Sequence, residues 1–88
     1  MNTYQEVKEY AEDRKSGLKS GEFDDIVEVE FFDAYMEIRW AFVEKKDDFV
    51  IVFAEHYPPL IQHFDETKWF RQMDFDGNMK KEWENDDR

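Results

Sequence analysis

Eighty-eight residues without a single cysteine make a chain that no disulfide or thiolate metal site can staple, so packing alone must hold a modest core. The net charge of −11 opposes direct binding to nucleic acid or an anionic membrane, both polyanions that attract Lys and Arg. It permits a basic protein partner, and nine Phe, four Tyr and three Trp supply the large buried areas a small core needs.

The longest apolar run, 49–54, is far short of the ~18 residues of a membrane span. Residues 1–15 are polar and charged, unlike a secretory signal. A single domain over 1–88 in the reducing cytoplasm is expected, with 84–88 as a frayed tail.

Thr3 and Glu6 have the spacing of a capping box, in which each side chain satisfies the other residue's free N–H. Tyr4, Val7, Ala11 and Leu18 then fall on one helical stripe. A helix over 4–16 is predicted, stopped by a left-handed Gly17. Residues 19–22 read as a turn.

From there the period changes. Val27, Val29 and Phe31 alternate with Glu28 and Glu30, the pattern of a half-buried strand starting near Ile26. Met36, Ile38, Trp40 and Phe42 alternate with Tyr35, Glu37, Arg39 and Ala41, which predicts a second strand. A helix over 34–45 capped by Asp33 is its rival, and the β-branched and aromatic content favours the strand. Residues 44–48 read as a charged loop. Phe49–Ala54 is apolar on both sides, as a central strand is.

Tyr57-Pro58-Pro59 interrupts pairing, because proline donates nothing to a ladder. Asp65 as N-cap, with Phe64 and Trp69 at staple positions, predicts a helix over 66–73 in which Trp69 and Met73 stand four apart. Asp76-Gly77-Asn78 is a turn, and Met79 with Trp83 suggests a last helical turn. A hairpin across Asp76-Gly77 is the alternative. The sum is an α+β fold: an N-terminal helix, a three-stranded antiparallel meander, and one or two short C-terminal helices packed on the sheet.

Catalytic and metal chemistry find little support. Ser16 and Ser20 sit at a helix end and in a turn, where capping explains them. His56 and His63 flank the Pro-Pro break with no zinc-ligand spacing. Counted from Asp74, a calcium loop would want Gly at its sixth position and Glu at its twelfth. Gly77 is fourth and the twelfth residue is Asn85, so the stretch reads as a plain turn. No enzyme activity, cofactor or metal is expected.

The charge distribution says more. Residues 21–34 hold six acids, Glu22, Asp24, Asp25, Glu28, Glu30 and Asp33, and no base. On a strand, Glu28 and Glu30 project from one face about 6.7 Å apart, near the spacing of successive phosphates. These six residues are the candidate partner-binding set. As an acidic edge strand they would enter a basic cleft, and the same charges also guard an edge against aggregation.

In size and charge, the chain resembles small inhibitor, immunity and phage accessory proteins, which cover a partner's basic site. That resemblance implies an inhibitor or accessory protein, a nucleic-acid mimic in its sharpest form, docking on a basic protein surface. The alternative is a structural homodimer with a seam of Trp69, Phe70, Phe75 and Trp83. A small enzyme built on His56, His63 and nearby carboxylates ranks last.

Overall fold

The computed structural model describes residues 3–85. Helix α1 (Tyr4–Ser16) leads, and a 3-10 turn (Ser20–Phe23) follows. Six strands and a second 3-10 turn (Phe64–Glu66, between β4 and β5) complete the described residues: β1 (Asp25–Phe31), β2 (Tyr35–Lys46), β3 (Phe49–Ala54), β4 (Leu60–His63), β5 (Thr67–Asp74) and β6 (Met79–Glu84). They form one antiparallel sheet in the order β4-β3-β2-β1-β5-β6.

The expected three-stranded meander is therefore the middle of a larger sheet, and neither expected C-terminal helix forms. Glu66 ends a 3-10 turn, and residues 67–73 and 79–83 lie in β5 and β6. The reason is β1. A meander alone would leave its far flank of N–H and C=O groups unpaired beside the core. β5 fills that flank along its length, from Asp25↔Asp74 to Phe31↔Thr67. Trp69 and Met73, four apart, suit a strand as well, since both are odd-numbered and face the same side. The hairpin alternative at Asp76-Gly77 is the one that forms. Gly77 adopts φ +88°, which L side chains avoid. The Asp74 carboxylate accepts N–H groups of Asp76 and Asn78 at 2.9 Å and the Asn78 amide at 3.0 Å.

The sheet curls so that one face closes on itself. Val27, Val29, Phe31, Ala41, Val43, Val50, Val52 and Phe70 fill the concave side. Its two edges approach: Phe64 beyond β4 meets Trp83 of β6 edge-on at 6.1 Å, and Asn85 Nδ2 donates to the Phe64 carbonyl. Asn85 is thus buried and bonded rather than frayed, while residues 86–88 of the expected tail lie outside the described residues. α1 covers the convex side of β3, setting Val7 and Ala11 on Phe49, Ile51 and Phe53. β3 is accordingly buried at all six positions, in line with its two-sided apolar run.

α1 has the expected bounds with different ends. Thr3 Oγ1 accepts the Glu6 N–H, yet its hydroxyl donates to the Glu6 carboxylate in place of a reciprocal backbone bond. Gly17 is right-handed, with φ −91°.

β2 departs from its predicted alternation at Trp40. This residue takes φ +60°, and the β1–β2 register shifts between Asp25↔Ala41 and Ile26↔Arg39. The bulge resets parity. Met36 and Ile38 face the concave interior before it, Ala41 and Val43 after it. Phe42 thereby leaves the interior and stacks on Phe53 beneath α1, with ring centroids 4.6 Å apart. Only Asp47-Asp48 turn between β2 and β3, so Glu44, Lys45 and Lys46 are strand rather than the expected loop.

Candidate functional site

α1 covers only half of the convex face. The other half, on β2 before its bulge and on β1, β5 and β6, carries no covering element among the described residues. The pairing arranges it in three rows. The first is Tyr35, Glu30, Trp69, Glu84. The second is Glu37, Glu28, Arg71, Glu82. The third is Arg39, Ile26, Met73, Met79.

A cluster of aromatic and charged side chains stands at its centre. Glu28 is 8% exposed. Its carboxylate accepts from Arg71 Nε at 2.7 Å and from the Tyr35 hydroxyl. The Arg71 guanidinium lies 4.7 Å from the Trp69 ring centroid, and the Tyr35 and Trp69 rings are 6.0 Å apart. Tyr35 is 52% exposed, so this network holds a large ring rigidly in solvent. The Tyr35 hydroxyl bond and the Arg71 bond and charge hold the Glu28 carboxyl below the usual range, against the opposing effect of burial. The same carboxylate raises the Tyr35 phenol.

A depressed carboxyl stabilises the fold above its unfolded pKa, and that stabilisation is lost as pH falls through the folded pKa. For Glu28 the loss begins near pH 4.5 and continues downward. Glu28→Gln is expected to cost about 1–2 kcal/mol at pH 7, the difference between charged and neutral hydrogen bonding. The gap to the parent chain should close as the pH is lowered towards 3. Urea melts at several pH values measure it, and a gap independent of pH would contradict the geometry.

The six acids expected to act together are dispersed. β1 is not an edge strand, since β2 and β5 flank it, and its carboxylates are already engaged. Glu30 pairs with Lys68 at 3.2 Å. Asp25 is buried, accepting from Gln72 Nε2 and Lys80 Nζ at 2.6 Å each. Glu22 accepts the Lys19 N–H. Glu22, Asp24 and Asp25 line a cleft of about 510 Å3 whose other walls include Arg14, Lys80 and Lys81, so that end of the block is neutralised. Asp33 sits exposed in the β1–β2 turn at the opposite end. Glu28 is buried and Glu30 is half-buried against Lys68, so the two do not stand as a phosphate-spaced pair of free charges.

The other sequence candidates scatter too. Of the four aromatics of the alternative dimer seam, Phe70 is a core residue on which Trp83 stacks at 6.2 Å, Trp69 is half-buried, and Phe75 and Trp83 are exposed. His63 packs on Phe49 at 4.4 Å, and His56 is exposed, 3.9 Å from Glu55. Among the described residues no group of three or more His, Asp or Glu could hold a metal ion, and no helix is long and apolar enough to cross a membrane. Tyr35, Trp69 and Arg71 were not singled out together by the sequence. The signal was the period-two placement of Trp69 and Arg71, hidden by the helical reading of that segment.

Comparison with known proteins adds no relative: no family model, curated protein or solved structure matches this chain.

Proposed function

We propose that this chain is a protein-binding module of the inhibitor or accessory kind, which docks the open half of its convex face on a basic surface of a partner. The observation that carries this reading is the Tyr35–Trp69–Arg71 cluster. Tyr, Trp and Arg are the residues that most often dominate interface energetics, because they bury much area at little entropic cost. Here they are held by Glu28 and ringed by Glu30, Glu37, Glu82 and Glu84. Such a rim steers a cationic partner and repels polyanions. The acidic block contributes through Glu28 and Glu30, by positioning the cluster and adding charge to its rim.

Capture from host lysate with the wild-type chain and with Tyr35→Ala/Trp69→Ala, at low and high salt, tests the reading. The wild type is expected to retain a basic protein at low salt. The double variant should bind it at least about thirty-fold more weakly, as loss of a hot spot does. Glu82→Gln/Glu84→Gln should slow association and flatten its salt dependence while leaving the melting temperature unchanged. Equal capture by the wild type and the aromatic double variant would refute the proposal.

A further inference from the structure

Among the described residues, β2 has one flank that no strand fills. Its ladder with β3 begins only at Ala41, opposite Ala54, after which the chain turns away through residues 55–59. Among the described residues, 35–39 pair with β1 alone. Two hydrogen bonds fix which backbone groups face the gap. The Phe31 N–H donates to the Ala34 carbonyl at 2.7 Å, and the Phe32 N–H donates to the Glu66 carbonyl at 3.0 Å. Odd residues of β1 therefore bond to β2 and even ones to β5. Given the pairs Val29↔Met36 and Val27↔Ile38, Met36 and Ile38 turn their backbone groups to β1, and Tyr35, Glu37 and Arg39 turn theirs outward. The row ends at Trp40, whose carbonyl accepts the Glu55 N–H at 2.9 Å.

A mainly apolar groove of about 360 Å3 lies beside this edge, lined by Ile38, Val52, Ala54 and Leu60, by Tyr57 and Pro58, and by Glu37 and Arg39 of the edge itself. We infer that the edge and the groove together take an extended segment of a partner protein as an added strand, one that alternates basic and apolar residues. The inference rests on the protein-binding reading above and names the part of the partner that is recognised. A row of free amides and carbonyls selects an extended backbone. Period two then sends every second side chain into the groove, whose lining selects Val, Ile or Leu. The intervening side chains lie on the convex face beside Glu37, which stands opposite Glu28. Glu28 is already engaged by Arg71 and Tyr35, so the exposed Glu37 carboxylate is the one that favours Lys or Arg as the next member of the row. Unselective pairing is held off by the shortness of the edge, by the Glu37–Arg39 ion pair at 3.3 Å and by the bulge at Trp40.

The test uses the full chain and a capped synthetic peptide of four Lys-Val repeats. Glu37→Pro removes one outward N–H together with the carboxylate and leaves the bonds to β1 intact, a substitution that edge positions tolerate, and Glu37→Gln removes the charge alone. The peptide is expected to slow amide exchange at Tyr35, Glu37 and Arg39, and to bind Glu37→Pro about ten-fold more weakly than Glu37→Gln, as loss of a backbone hydrogen bond implies. Trp69→Ala should retain the slowed exchange at the edge. Should Glu37→Pro fail to fold, the exchange measurement on the wild-type chain decides alone. The inference is overturned by peptide binding without slowed exchange, by equal affinity for Glu37→Pro and Glu37→Gln, or by no binding at about millimolar peptide. It is also overturned if the edge is protected by raising the concentration of the chain itself, which would make a second copy the occupant. A partner lost on Trp69→Ala but kept on Glu37→Pro would leave the docking face standing and remove only the added strand.

Discussion

Ile51→Ala is expected to destabilise the fold by about 2–5 kcal/mol, the cost of deleting a buried aliphatic side chain and leaving a cavity. Ile51 is fully buried. It stands on the convex side of β3, between Glu44 of β2 and Ile61 of β4, in the layer that α1 covers with Val7 and Ala11. The helix is tied down around this layer by polar contacts. Tyr10 donates to the Glu44 carboxylate at 2.7 Å, and Arg14 pairs with the same group. Those ties keep α1 from collapsing into the space that Ala leaves, so the cavity term is retained. In a domain of this size the loss is a large part of the total folding free energy. Val52→Ala probes the opposite side of the same strand, facing the concave interior, and should cost less because fewer methyl groups are removed. Denaturant melts of the two variants measure both sides of β3. A cost below about 1 kcal/mol for Ile51→Ala would mean that α1 is not seated on this strand.

The second large effect is expected at Gln72. β2 outruns β1, whose ladder with it ends at Asp25↔Ala41, so the inner flank of Val43 meets no strand. Two side chains take the place of the missing ladder. Gln72 Oε1 accepts the Val43 N–H at 3.2 Å, and Lys81 Nζ donates to the Val43 carbonyl at 2.8 Å. Gln72 also donates to Asp25, which joins β5 to the start of β1. Gln72→Leu keeps the volume and removes both bonds. An orphaned buried amide plus a weakened carboxylate contact should cost about 2–4 kcal/mol. Gln72→Glu keeps an acceptor for Val43 and sets a second carboxylate beside Asp25. That variant should regain stability as the pH is lowered towards 5, because two close carboxylates share one proton more readily than they both ionise. Urea melts at pH 7 and 5 check the pair. A stable Gln72→Leu chain would mean that water or a shift of β2 satisfies the Val43 amide.

The sequence by itself determined the elements whose cause is local. α1 follows from its cap and its apolar stripe, β1 from its alternation, β3 from a run that is apolar on both sides, and the Asp74–Asn78 turn from residues that satisfy their own backbone. Net charge was legible in the same way.

Tertiary structure decided the rest. Thr67–Asp74 carries both a helical i,i+4 pair and a period-two face, and only the demand of β1 for a second partner selects the strand. The bulge at Trp40 cannot be read from alternation, because it costs strain that is offset by contacts distant in sequence, including the Phe75 ring at 4.6 Å. Whether a carboxylate is free or engaged also depends on the neighbouring strand. Glu28 meets Arg71 across 43 positions of sequence, and Asp25 meets Lys80 across 55. Charge counts along the chain add these acids together, whereas the folded sheet pairs them with bases from β5 and β6. What remains as a surface is therefore a cluster of rings and one arginine, drawn from two strands that are brought together only because β1 lies between them.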